Sequence, residues 1–522
     1  MKKYIIYSLF LSLLVFGCSE DVLDVKNEAN YNGATFFTSA TAYTEASTAM
    51  YTPLLYQGMY AREWYFIFDL LGNDAEKNFP LQGGLLEFPN YTHTPTNAEL
   101  NPIFNSCYKM IFRTNYVIDQ IEKWETTVPA EVELKTRITG EALFLKSLSY
   151  FWLVNLFGDV PLKNNIADHY ILLSERTPKE QIWASVETNL KAAIDKLPLT
   201  YANEADYGRV TKGAAVALLG KVFLYEKKYA EAATELAKLT AAPYTYELTA
   251  SIDDLFIDDK KTKETVFAVM NGPWQGWDIG NAYYMFGGQE LWGGKATHTG
   301  RAMEYGFNDW WNVLVSNALV DAFTYPNESG ASYTDPRAAL TFYSANGAKG
   351  GDATYCDACA DSIKKYGFKV KDGQKSWRKY ELYEKVNNYG QPDSPINGQV
   401  IRYADVLLML AEAYIEDGKI NQALPLINQV RDRSGAFQYA SLGDKTKATT
   451  ILRKERQIEL AGEQHRFFDL VRWGTLVETI NAEKLAANGI APVKDYHVLL
   501  PIPQSERDAN PTLDAQVKNN WN

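Results

Sequence analysis

Cysteine is scarce in this chain, with four in 522 residues. Beyond Cys18 only Cys107, Cys356 and Cys359 remain, too few for a disulfide framework. The five histidines (His93, His169, His298, His465 and His497) show no metal-ligand spacing, which leaves no cofactor or metal to expect from the sequence. No apolar run after residue 16 has the length that crosses a bilayer. Positive charge is in deficit: the net charge is −12 and no basic run reverses it, which excludes a general nucleic-acid surface. No nucleophile elbow, HExxH motif or phosphate loop occurs. What is present is an ordinary globular balance, 46% apolar and 22% charged, with a high aromatic fraction of 13%.

The N-terminus reads as a signal. Lys2 and Lys3 precede a short apolar stretch from Tyr4 to Phe16, too short to span a membrane. That stretch ends at Val15-Phe16-Gly17-Cys18, which resembles a bacterial lipobox, although Phe16 is bulkier than the usual residue there. The small Gly17 gives a signal peptidase access to the bond, and the Cys18 thiol then takes the lipid. Ser19-Glu20-Asp21 resembles the acidic surface-export signal of Bacteroidetes lipoproteins. The expectation is that residues 1–17 are removed, that Cys18 is lipidated in the outer membrane at the cell surface, and that residues 19 to about 35 form a tether. Farther on, Cys356-Asp-Ala-Cys359 follows Gly347, Gly350 and Gly351. A small local disulfide is one reading of that pair; a zinc half-site or redox pair is the other.

Helical periodicity dominates. It covers 41–55, 104–124, 129–157, 177–196, 211–226, 229–239, 402–416, 421–433 and 447–478. Between about 245 and 400 the chain is instead rich in Gly, Asn, Tyr and Trp, with a strand expected over 265–270. Two helix pairs share one pattern: Gly220, Phe223, Tyr229, Ala232 and Leu236 in the first, Ala411, Tyr414, Ile420, Ala423 and Ile427 in the second. Small residues let antiparallel helices approach, and large ones fill the groove between them. This is the tetratricopeptide pattern, and Gly418 suits the left-handed position between the helices. The helix over 402–416 is apolar nearly all round and therefore core, so its Arg402, Asp405 and Glu412 need partners.

The stretch from Glu455 to Asp469 is dense in charge. Glu459, Glu463, His465 and Asp469 alternate with Arg453, Arg456, Arg466 and Arg472 at helical intervals. Glycoside hydrolysis needs two carboxylates facing each other across a cleft. Alternating signs at helical spacing favour a salt-bridge lattice between helices.

Sugars present apolar C–H faces edged by hydroxyls, which proteins meet with aromatic rings and with Asn, Asp, Gln or Arg. The densest aromatic cluster outside the helices holds Trp274, Trp277, Tyr283, Tyr284, Trp292, Trp310 and Trp311 among many glycines. Trp292 is the first candidate for ligand contact because Gly293 and Gly294 follow it; Trp277, Tyr283 and Trp274 come next. The competing reading packs each ring beneath its own loop. Trp152 and Trp473 sit in helical patterns and are expected in the core.

Three motifs in order carry a family resemblance. The run from Arg402-Tyr403-Ala404-Asp405 to Ala411-Glu412-Ala413 resembles a signature of the SusD/RagB family of outer-membrane nutrient-binding lipoproteins. Arg453-Lys454-Glu455-Arg456 through Arg472-Trp473-Gly474, and the tail Leu499-Leu500-Pro501-Ile502-Pro503, resemble two more. Leu156-Phe157-Gly158-Asp159-Val160-Pro161-Leu162 and Tyr207-Gly208-Arg209-Val210-Thr211 are similar to the family's N-terminal half. The resemblance implies a mainly α fold, a tetratricopeptide-like helical superhelix supporting an irregular, loop-rich ligand-binding subdomain with short strands. One SusD-like domain over 18–522 is then expected: a helical half over about 36–245, a ligand-facing region over about 246–400 and a C-terminal helical region over about 401–522. It also implies non-catalytic binding of a glycan, and a SusC-like TonB-dependent transporter as partner; a RagB-type peptide carrier is the alternative. Trp64, Asn73 and Asp74 lie where family members often place ligand contacts and are candidates on that ground.

Overall fold

The computed structural model describes residues 36–78, 81, 83–258, 260–271, 299–306, 310–344, 375–382, 394–485 and 492–514. Residues up to Glu45 form a small unit of their own, in which Phe37 packs on Phe36 and Tyr43 with ring centroids 5.1 and 5.0 Å apart. The second unit runs from Ala46 onward.

The described chain is mainly helical. Helices α1 (Ala40–Ala49), α2 (Glu63–Leu71), α3 (Leu100–Lys123), α4 (Pro129–Phe157), α5 (Lys179–Lys196), α6 (Lys212–Tyr225) and α7 (Tyr229–Lys238) come first. The short α8 (Arg301–Tyr305) lies in the irregular region. Then follow α9 (Tyr403–Glu416), α10 (Ile420–Arg433), α11 (Lys445–Glu459), α12 (Arg466–Arg472) and α13 (Leu476–Ile480). Strands are short and pair antiparallel: β1 (Ala75–Lys77) with β3 (Val313–Val315), β2 (Thr265–Val269) with β8 (Gly398–Arg402), β4 (Thr324–Pro326) with β5 (Ser332–Thr334), and β6 (Phe342–Ser344) with β7 (Lys375–Trp377). The strand expected over 265–270 is β2. The helical pattern over 447–478 breaks into α11, α12 and α13, because Gly462 and Gln464 adopt φ of +67° and +62°.

Local chemistry sets the helix ends. Proline opens α4, where its missing N–H costs nothing, and Gly158 closes it at φ +70°. The Thr211 side chain caps α6 by accepting from the Ala214 amide at 3.3 Å. Helices α3 to α7 pack each on the next, and α7 packs directly on α9 although about 160 residues of chain lie between them. The pairs α6–α7 and α9–α10 are the two tetratricopeptide units of the sequence pattern. In the first, a Cβ on Gly220 would stand 2.5 Å from Leu236 Cγ, so the close approach requires glycine. In the second, Ala411, Ala423 and Ile427 are fully buried and Gly418 takes φ +77°. Lys227 holds the corresponding left-handed position of the first turn, at φ +62°.

The helical frame is interrupted by excursions held at both ends. After β2, the Asn271 amide donates to Asn397 Oδ1 at 2.8 Å and its Nδ2 donates to the Ile396 carbonyl at 2.6 Å. Thr299 pairs with Ser394 through two backbone bonds of 2.7 and 3.3 Å. The chain therefore leaves at 271 and returns at 299 against one short segment, 394–397. In the same way the β6–β7 pairing brackets residues 345–374. Cys356 and Cys359 fall there, outside the described residues, as do Cys18 and residues 1–35.

Substituting Gly220→Ala forces Leu236 aside, and the expected loss in urea unfolding is roughly 1–3 kcal/mol. Combining it with Leu236→Ala, which removes the clashing atoms, should cost less than the sum of the two single changes.

Candidate functional site

The charged motif of the C-terminal half is buried and paired. Arg402 ends β8 and stands at the N-terminus of α9 with a side chain 0% exposed. Each of its five N–H groups finds an acceptor. Nη1 donates to Glu264 Oε1 and Glu459 Oε1, both at 2.7 Å. Nε donates to Glu463 Oε2 at 2.7 Å, and Nη2 donates to Glu463 Oε1 at 2.9 Å and the Glu459 carbonyl at 2.7 Å. The strand register produces this, since Thr265 pairs with Arg402 and the Glu264 carbonyl accepts from the Tyr403 amide. Arg337 grips Asp335 through two bonds of 2.8 Å and also reaches Glu455 and Glu459. Arg431 pairs with Glu455, Arg433 with Glu264 and Glu459, and Lys379 with Glu463. A second set joins Lys221, Arg456 and Arg472 to Asp405, Asp469 and Glu412.

Despite burial, Arg402 with Lys379 holds Glu463 and Arg456 with Arg472 holds Asp469 near pKa 2, while Arg433 with Arg402 holds Glu459, and Lys221 ahead of Arg456 holds Asp405, below that. These acids stay ionised, and their oxygens are taken up by arginine and lysine side chains. The lattice is structural, as the alternating charges imply, and most of its cations come from outside the motif. Trp152 is core as expected, but Trp473 is half-buried, with its Nε1 donating to Glu412 at 2.8 Å and Arg453 and Arg472 stacked against its ring.

Three expected ligand residues are not on a surface. Trp64 is 2% exposed and packs against Phe68, Trp152, Tyr60 and Phe468 with centroids 4.5 to 6.1 Å apart. The space beside it, about 30 Å³, has room for little more than a water. It lies on α2, whose nine residues are all buried, Glu63 and Asp69 included; with no solvent face the helix is not marked out by a polar stripe, so the sequence pattern misses it. Asn73 is buried with φ +61° and donates to Glu483. Asp74 is buried and accepts from the Gly462 amide at 2.9 Å, while its Oδ1 has no partner among the described residues. Their polar side chains pin the loop after α2 to the C-terminal half, the opposite of a ligand rim.

The remaining candidates, Trp274, Trp277, Tyr283 and Trp292, lie in 272–298, outside the described residues. The return of that segment is described. Helix α8 begins two residues after Thr299, and the chain then doubles back: the Trp310 amide donates to the Met303 carbonyl at 3.3 Å and the Asn312 amide to Glu304 at 2.8 Å. Trp310 and Trp311 are half-buried at the start of β3. Trp311 takes φ +47°, a conformation a bulky residue rarely adopts, and Asn78 Nδ2 holds its carbonyl at 2.8 Å. Two tryptophans are thus fixed in place at the foot of the Trp-rich segment.

Burial and the neighbouring Asp69 charge push the Asp74 carboxyl up to about 7. A carboxyl raised on folding stabilises the fold below its unfolded value, near 4, and that contribution fades as pH rises through 7. Asp74→Asn should therefore differ least from the parent below pH 4 and exceed it in Tm at pH 8, where the ionised carboxylate costs roughly 2–4 kcal/mol. Equal Tm differences at both pH values would remove this assignment.

A model described as "SusD family" matches residues 263–521, and one described as "Starch-binding associating with outer membrane" matches 21–224. SusD-like protein P25 of Formosa agariphila is 24% identical over all of this chain and 99% of its own length. Among solved structures, a SusD superfamily protein of Bacteroides vulgatus matches with TM-score 0.73 and 25% identity, covering 92% of this chain and 99% of that one. A laminarin-binding SusD-like protein matches with TM-score 0.71 and 26% identity, over 92% and 99%. Helix pairs, ordered motifs and both halves of the sequence agree: the chain belongs to the SusD-like family.

Proposed function

We propose that this protein binds a glycan at the cell surface, held there by lipid on Cys18, and passes it unchanged to a SusC-like TonB-dependent transporter. The observation that carries the glycan reading is the Trp310–Trp311 pair, fixed by Asn78 at the foot of the 272–298 segment. Flat rings anchored at low conformational cost suit the C–H faces of pyranoses. On the sequence pattern, Trp274, Trp277, Tyr283 and Trp292 are proposed as further ligand contacts. Laminarin binding by a relative of 26% identity supports the class of ligand. The non-catalytic reading draws support from the ion-pair lattice, whose carboxylates are already committed to arginines.

Support for a protein partner comes from the loop after α4. Tyr170, Ile171, Leu172 and Leu173 are consecutive and exposed, Leu172 by 88%. The loop is braced from within, because Lys163 Nζ donates to the Asp168 carbonyl at 2.6 Å and to Ser174 Oγ. From outside, Asn510 Nδ2 donates to the Ser174 carbonyl at 2.8 Å. Exposed Phe112 stands edge-on to His169 at 5.2 Å and extends the patch. A rigid apolar spur of this kind fits a pocket on a protein better than water.

Isothermal titration of the detergent-solubilised mature chain against laminarin and xyloglucan oligosaccharides, with a peptide pool as control, tests the ligand. Glycan binding should weaken at least about tenfold in Trp310→Ala/Trp311→Ala, and the sugar should be recovered intact. Saturable binding of peptides alone, or release of shorter sugars, would defeat the reading. For the partner, Leu172→Asp should cut co-purification with the transporter encoded beside this chain at least about tenfold and leave glycan affinity and Tm unchanged. Unaltered co-purification, with binding to liposomes lost instead, would reassign the spur to the bilayer.

A further inference from the structure

A second cleft lies on the helical frame, away from the Trp-rich segment in sequence. It encloses about 290 Å³, near the lower end for small-ligand sites, and is walled by Tyr201, Tyr207, Tyr244, Tyr246, Lys261 and Thr262. Tyr244 and Tyr246 alternate on one extended stretch, so both rings point the same way; they lie 10° from parallel with centroids 6.2 Å apart. Tyr403 continues the row at 6.1 Å from Tyr246. The row is built in. Tyr246 lies so close over Gly213 that a Cβ there would come within 2.1 Å of its hydroxyl oxygen. Tyr201 is tied down by its hydroxyl, which donates to the Val210 carbonyl at 2.8 Å. The hydroxyls of Tyr207 and Tyr244, by contrast, bond to no protein group among the described residues.

The charge in this cleft is unbalanced. Lys261 is half-buried, and its ammonium makes one long bond, 3.3 Å, to the Tyr207 carbonyl. Its neighbours differ: Lys260 is paired with Asp258 at 3.0 Å and Lys263 with Glu247 at 2.8 Å. No carboxylate lies against Lys261 among the described residues, and burial alone pulls its pKa below the lysine range. Buried lysines elsewhere are held in two ways: Lys379 and Lys221 each meet an acid, whereas Lys146, Lys163 and Lys484 donate to backbone carbonyls. A partly desolvated cation without a counter-ion is costly while the cleft is empty, and an anion entering the cleft relieves that cost.

We propose that the tyrosine cleft is a second saccharide site that takes an acidic sugar, with the rings of Tyr244 and Tyr246 under the pyranose face and Lys261 on its carboxylate or sulfate. The inference rests on the glycan reading above and narrows it to a glycan that carries negative charge. The tyrosine cleft thus sets a cation, Lys261, beside its rings.

The test is an array of hexamers of galacturonate, of mannuronate and of sulfated galactose, each beside its neutral counterpart. It is read with the detergent-solubilised mature chain and with Lys261→Met, Tyr244→Ala and Trp310→Ala/Trp311→Ala. At least one acidic hexamer should bind the parent with an affinity that falls as salt is raised. Lys261→Met should weaken that hexamer about tenfold to a hundredfold and leave neutral sugars unchanged, since a charge-assisted bond is lost. Tyr244→Ala should weaken the same hexamer; an unchanged Tm shows that the loss is not one of folding. Neutral binding without acidic binding, or acidic binding indifferent to both cleft variants, overturns the cleft proposal and leaves the glycan reading standing. No saturable binding of any hexamer, together with the failure of laminarin and xyloglucan above, overturns both.

Discussion

The fold turns on Arg402. Its side chain reaches three glutamates from two distant parts of the chain: Glu264 before β2, and Glu459 and Glu463 at the end of α11 and in the turn directly beyond it. None of these charges is solvated, so each depends on the others, and removal of one cation leaves a buried carboxylate whose penalty is several kcal/mol. The arrangement locks the irregular middle of the sequence to the helices on either side. A hydrophobic core gives cohesion without direction; five directed bonds to one guanidinium fix register. Apolar residues of equal volume often replace a buried ion cluster without loss of stability, so what this cluster adds is the definition of the junction of β8, α9 and α11.

Where the sequence was legible, a period or a spacing carried the information. The helix pairs α6–α7 and α9–α10 announce themselves through small and large residues at fixed offsets, and Gly220 and Gly418 occupy the positions that demand glycine. The strand before Asn271 and the paired state of Arg402, Asp405 and Glu412 also follow from pattern and burial. What stayed hidden has physical reasons. Helix α2 is buried on every side, so nothing in its order distinguishes a buried helix from an aromatic surface stretch, and Trp64 was misplaced with it. Asn73 and Asp74 are polar in a loop, yet they serve as internal pins. The break after Glu459 depends on Gly462 making room for Trp377, a contact far away in sequence. The tyrosine cleft combines residues from four stretches between 199 and 265, of which only 207–211 carries a motif.

The two aromatic surfaces differ in how they are made. Trp310 and Trp311 hang on a short ribbon whose backbone is held in an unfavourable conformation by Asn78, so their placement draws on the stability of the surrounding frame. Tyr244 and Tyr246 lie on an extended stretch against α6 and need only the absence of a side chain at Gly213. The first surface belongs to the excursions and the second to the repeats.

The anchorage of the 272–298 segment has an evolutionary side. Both its ends are fastened within residues 394–397, so the entropy of closing the loop is set almost entirely by its length, and doubling that length adds only about 0.6 kcal/mol. The fasteners are themselves tied to the frame, Thr299 Oγ1 donating to the Ala61 carbonyl at 3.1 Å and Asn397 Nδ2 to the Lys260 carbonyl at 3.3 Å. A gene could therefore lengthen, shorten or exchange this stretch and keep the same folded scaffold.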